Sequence, residues 1–235
     1  MFGTADVGKV PRTMAALCVA LLGAHAGLAE FNRDIHSDPP VMSPPPGDLA
    51  RKALAFGDDQ FLYRRMAIDL QNAGDGGGRV TPIGQYNYTY VLGWLRGLAA
   101  LDPNAAHHFI LASRYFSFTQ NKADLARLID FIAEKAAADP ERHWFWLTQG
   151  IELADHRLGD TERALEIARR VATYDFQGVP SWVWMFPALL LEKLGRFGEA
   201  YDTIEKVRAE KLNRLTPEEI NWIDDVSQRL KTEKE

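Results

Sequence analysis

Cysteine is almost missing from this 235-residue chain: Cys18 stands alone, so no internal disulfide can form. Its setting, Met14-Ala15-Ala16-Leu17-Cys18, lacks the residue order of a lipid-acceptor motif and reads as part of an apolar run. Excess charge of one sign is also lacking. The 27 Lys and Arg against 32 Asp and Glu give −5, with both signs interspersed, and no basic stripe marks a nucleic-acid surface. No sustained apolar–polar alternation bounded by hairpin turns occurs, which removes strands from the expectation.

Catalytic and metal signatures are thin as well. Gly76-Gly77-Gly78 runs into Arg79-Val80-Thr81 rather than a phosphate-binding Lys and Ser/Thr, and reads as an inter-helix loop. His107 and His108 are adjacent and diverge by about 100° on a helix, so they do not make the i, i+4 pair that zinc favours. Ser113 and Ser117 lack the glycines of a nucleophile elbow. The expectation is therefore no cofactor, no metal, no catalytic residue and no nucleic acid. An enzyme or small-ligand binder using an unrecognised carboxylate pair, acting for instance on cell-wall glycans, is the alternative.

What is present begins at the N-terminus. Lys9 and Arg12 precede an uncharged stretch from Thr13 to Ala29, in the order of a secretory signal. Ala24-His25-Ala26 and Gly27-Leu28-Ala29 offer small residues for cleavage, while the run is at the short end of what a spanning helix needs. Residues 1–29 thus read as a cleaved signal peptide or an inner-membrane anchor, both of which export the body to the periplasm. Residues 30–47, with Pro39-Pro40 and Pro44-Pro45-Pro46-Gly47, read as an extended linker.

From residue 48 to 235 the pattern is helical and repeats. Asn121, Gly159 and Gly195 each open a turn followed five positions later by alanine, at Ala126, Ala164 and Ala200. Asp102-Pro103 and Asp139-Pro140 recur in step with these turns. Each following helix has one apolar side, as with Ala164, Leu165, Ala168 and Val171. Thr216-Pro217-Glu218-Glu219 has the form of a capping box before a terminal helix with one apolar face, Ile223, Val226 and Leu230.

Gly195-Arg196-Phe197-Gly198-Glu199-Ala200 resembles the inter-helix turn of the tetratricopeptide superfamily, and Trp184, Ala188 and Leu191 match its preceding helix. The resemblance covers roughly residues 86–210. It departs from the pattern at Ile110 and Thr148, which stand where the tryptophan would be in two units. Residues 71–75 and 115–121 are also similar to an uncharacterised family of bacterial envelope proteins. The repeats, with the class and compartment that the resemblance adds, lead to the expectation of an all-α, TPR-like helical-hairpin solenoid, an α-α superhelix; the leading functional expectation is a non-catalytic protein-protein interaction scaffold of the bacterial cell envelope, binding a peptide or a subunit of a membrane-associated assembly. The aromatic surplus supplies the candidate partner-binding residues. Trp144 with Trp146, and Trp182 with Trp184, are i, i+2 pairs that diverge on a helix; full burial between stacked repeats is the plain reading, and the sharper one puts one indole of each pair in the core and the other in a concave groove as a binding anchor. Tyr115 and Arg96 join them as typical hot-spot residue types.

Overall fold

The computed structural model describes residues 12–31, 41–75 and 80–234, and divides the chain into two compact units, 1–40 and 41–235. The first holds α1 (Arg12–Phe31), on which Leu17, Val19, Leu21, Leu22 and Leu28 are all exposed, as is Cys18. Among the described residues no helix is long and apolar enough to cross a membrane.

The second unit is all-α. Helices α2 (Asp48–Ala55), α3 (Asp59–Gln71) and α4 (Tyr88–Leu101) lead into the short α5 (His107–Ile110). After it come α6 (Lys122–Ala136), α7 (Pro140–Glu152), α8 (Thr161–Ala172), α9 (Trp182–Lys193), α10 (Phe197–Lys211) and α11 (Pro217–Lys234). From α6 to α11 each helix packs on the next, a sequential arrangement consistent with a helical solenoid.

Local chemistry fixes these boundaries. The side-chain oxygens of Asn121, Asp139 and Asp160 accept backbone N–H bonds at the starts of α6, α7 and α8, with Pro140 in the first turn of α7. Gly195, at φ +72°, reverses the chain after α9, and the Arg196 N–H then reaches the Leu191 carbonyl at 2.9 Å. The capping box before α11 forms in both directions: Thr216 N–H to Glu219 Oε2 at 2.8 Å, and Glu219 N–H to Thr216 Oγ1 at 3.3 Å. Ala164 and Ala200 are fully buried where the paired helices approach, whereas Ala126 is half-buried.

Part of the proline-rich stretch lies on the body. Met42 is buried, the Trp94 indole N–H donates to the Ser43 carbonyl at 3.0 Å, and the Pro45 ring sits so close to Gly93 that a Cβ there would collide with it. The loop after α3 is closed by Tyr86 donating to the Ala73 carbonyl and Thr81 to the Gly74 carbonyl; the glycine run 76–78 lies outside the described residues.

Two features carry no sequence signal. The chain widens into π-helical turns at Leu111–Tyr115 and Leu153–Leu158, immediately beyond α5 and α7. Such turns recur at functional sites because they re-aim the side chains they carry. Near α5, His108 is buried with its Nδ1 atom lacking a hydrogen-bond partner, between the rings of Phe109 and Phe131. Burial pushes its pKa down to about 4, and also pushes that of the buried Tyr63 up to about 12.

Candidate functional site

Side chains from α7, the turn beyond it and α9 line one groove as two matched stripes. On α7 and the turn beyond it the stripe is Phe145, Gln149, Glu152 and His156; on α9 it is Trp182, Phe186, Leu189 and Lys193. Each recurs at three- or four-residue steps, so each occupies a single helix face. Between them lies a half-open groove of about 470 Å³.

The groove has two chemically distinct ends. At the start of the helices Phe145 is 42% exposed and Trp182 41%. The Trp182 ring packs edge-on against Phe186 at 5.3 Å and Trp144 at 6.0 Å. At the far end the buried Asp155 carboxylate accepts from Lys193 Nζ at 2.7 Å and from the Thr161 hydroxyl at 2.8 Å. Burial raises the Asp155 pKa, but those two donors outweigh it and hold the group below the ordinary carboxylate range. His156 Nδ1 stands 3.6 Å from the same carboxylate, with the imidazole exposed. An apolar segment fits one end; a polar or charged group fits the other.

The six residues singled out from sequence are dispersed. Trp182 lines the groove, and Trp144 is half-buried behind it. Trp184 is core: it is 2% exposed, its indole donates to the Tyr174 carbonyl at 2.9 Å, and Lys211 and Arg214 lie over its ring. Trp146 is half-buried and stacks on Phe109, with centroids 5.4 Å apart and planes 8° from parallel. Tyr115 packs edge-on against Phe116 at 5.0 Å, and Arg96 is exposed on α4 with Glu134 at 3.9 Å; neither lines the groove. The second tryptophan pair therefore divides into surface and core, while the first leaves both indoles half-buried and exposes Phe145 between them.

Sequence reasoning missed Phe145, Phe186, Leu189 and the Asp155–Lys193 pair. The signal was there: Phe145 to Trp182 is 182 − 145 = 37 and Asp155 to Lys193 is 193 − 155 = 38, both in step with the repeat. A second depression, about 240 Å³, opens between α8, α9 and α10. Its aromatic floor, Trp184, is already covered by Lys211 and Arg214, so it presents less apolar surface. The hydroxyls of Ser113 and Ser117 donate to backbone carbonyls, each at 2.7 Å, and are committed to the fold. Among the described residues no three His, Cys, Asp or Glu side chains converge as metal ligands.

No family model, curated protein or solved structure matches the chain. The groove must be read from its own chemistry.

Proposed function

We propose that this protein is a non-catalytic scaffold of the cell envelope, of the tetratricopeptide-like hairpin type, that holds an apolar segment of a partner polypeptide between α7 and α9. One observation carries the reading: Phe145 and Trp182 both line the half-open groove, and each is about two-fifths exposed there, 42% and 41%. Aromatic side chains held rigidly by their neighbours are the residues on which binding energy concentrates. The Asp155–Lys193 end gives the groove a direction, because a bound segment meets rings first and an ion pair last. Export rests on the positive flank and apolar run of the N-terminus.

The enzyme alternative draws on Glu152 and Asp155 lining the same groove. It is the weaker reading, since a carboxylate bonded to an ammonium and held ionised is a poor proton donor.

Affinity capture from detergent-solubilised membranes tests the proposal. Phe145→Ala and Trp182→Ala should each weaken retention of the captured partner by roughly 2 kcal/mol, with the melting midpoint nearly unchanged. Undiminished retention by both variants would sink the reading.

A further inference from the structure

The π-helical turns Leu111–Tyr115 and Leu153–Leu158 both pack on α6, and side chains from both line one depression of about 130 Å³. Each turn contributes an arginine to it, Arg114 from the first and Arg157 from the second. Elsewhere in the array Arg96, Arg127, Arg163 and Arg196 each reach a carboxylate of the chain. Among the described residues Arg114 and Arg157 form no ion pair, and both are exposed. The Arg157 guanidinium lies over the ring of Phe118, 5.0 Å from its centroid. Stacking of that kind holds the guanidinium plane while leaving the N–H donors on its edge open to an acceptor. The hydroxyls of Ser113 and Ser117, which also line the depression, are bonded to backbone carbonyls, so the arginines are its strong donors.

We infer that the Arg114–Arg157 depression is a carboxylate site, taking an acidic side chain of the same polypeptide whose apolar part lies between α7 and α9; this rests on the groove being a polypeptide site. Two observations join the ligand to that chemistry. Gln149 and Glu152 of α7 line the depression and the groove alike, so the two adjoin across one helix. Charge then chooses the anion. Two guanidiniums against the Glu152 carboxylate leave one net positive charge, which a monoanion matches, whereas a phosphate dianion would exceed it and stand near Glu152. A guanidinium fork also fits the two oxygens of a carboxylate. The wider turns thus have a use: they aim two arginines that no carboxylate of the chain claims into one place.

Panning a random-peptide phage library on the full chain in mild detergent tests the inference. The targets are the wild type, the double variant Arg114→Gln with Arg157→Gln, and, as a control, Arg163→Gln, whose arginine is already paired with Asp130. Wild-type selections should be enriched in peptides with an apolar cluster and an Asp or Glu at a fixed offset from it. The double variant should keep the cluster and lose the acidic position at an unchanged melting midpoint, and the control should keep both. A synthetic peptide from the wild-type pool should bind the double variant roughly tenfold more weakly. Changing its acid to Gln should cause the same loss in the wild type and none beyond it in the double variant. An apolar consensus without an acidic position overturns this inference and leaves the groove reading standing. An acidic consensus that needs both arginines but has no apolar cluster keeps the carboxylate site and overturns the groove reading. No consensus of either kind overturns both. Binding of inorganic phosphate, or flotation with vesicles of acidic phospholipid, abolished by the double variant while the peptides show no acidic position, would overturn the carboxylate assignment in favour of a free phosphate or a lipid headgroup.

Discussion

Along α6, α8 and α10 the surface is closed by charge, whereas along α7 and α9 it is left aromatic. Arg163 on α8 reaches Asp130 on α6 at 3.2 Å, and Arg196 beside α10 reaches Glu162 on α8 at 3.3 Å. Arg169 on α8 meets Glu199 on α10 at 3.5 Å. On the other side Asp155, in the turn just beyond α7, pairs with Lys193 on α9, and the Trp144, Trp182 and Phe186 rings pack together along the same seam. The same repeat period thus builds two unlike faces. A face whose charges are paired within the chain offers little to a partner, since those groups would have to be desolvated again. A face whose rings remain in water gains by being covered.

The comparison breaks most easily at the core beneath it. Trp184→Ala should cost about 3–5 kcal/mol by chemical denaturation, through the cavity left and the orphaned Tyr174 carbonyl. Trp182→Ala, from the half-exposed position two residues earlier, should cost under about 1 kcal/mol. Equal losses would mean that both indoles are core and the aromatic face is not a distinct surface. Next in size, Ala200→Leu should overpack the contact between α9 and α10 and destabilise by about 1–3 kcal/mol. A neutral result in denaturant would show that the two helices are not closely packed there. Smallest are the charge pairs. Arg163→Ala and Arg196→Ala should each lower stability by under about 1 kcal/mol, with the difference shrinking in high salt. Losses as large as that of Trp184→Ala would show that charge, not packing, holds α6, α8 and α10 together.

The regular half of the array was legible before any coordinates. Asn121, Asp139-Pro140, Gly195 and Thr216–Glu219 mark helix ends through chemistry local to a few residues, and each lies where the spacing placed it. The divergence of Trp182 from Trp184 was likewise a matter of helix angle. The divergence of Trp144 from Trp146 was not legible. Which faces of α7 are covered depends on Phe109 arriving from α5 and Trp182 from α9, and no local periodicity records that. The π-helical turns escaped for a similar reason. Leu111–Tyr115 and Leu153–Leu158 carry no glycine, proline or other local mark that would set a wider turn apart from an ordinary one. The groove joins stripes of different helices, so its only sequence trace is the repeat-length spacing from Phe145 to Trp182, which no single helix periodicity records.

His108 makes the fold a proton-coupled object. Asp102, His107, Lys135 and His143 surround it electrostatically, yet burial dominates and keeps the imidazole neutral until about pH 4. The unfolded chain takes up that proton near pH 6.5. Above that pH neither state binds it and the residue is silent. Between 6.5 and 4 the unfolded state binds a proton that the folded state refuses, so each step of acidification favours opening. At pH 4 the accumulated penalty is on the order of 3 kcal/mol from this one side chain. The packing around α5 is thereby sensitive to acid, and replacing the imidazole with the uncharged ring of His108→Phe would remove this component of the acid limb of the stability profile.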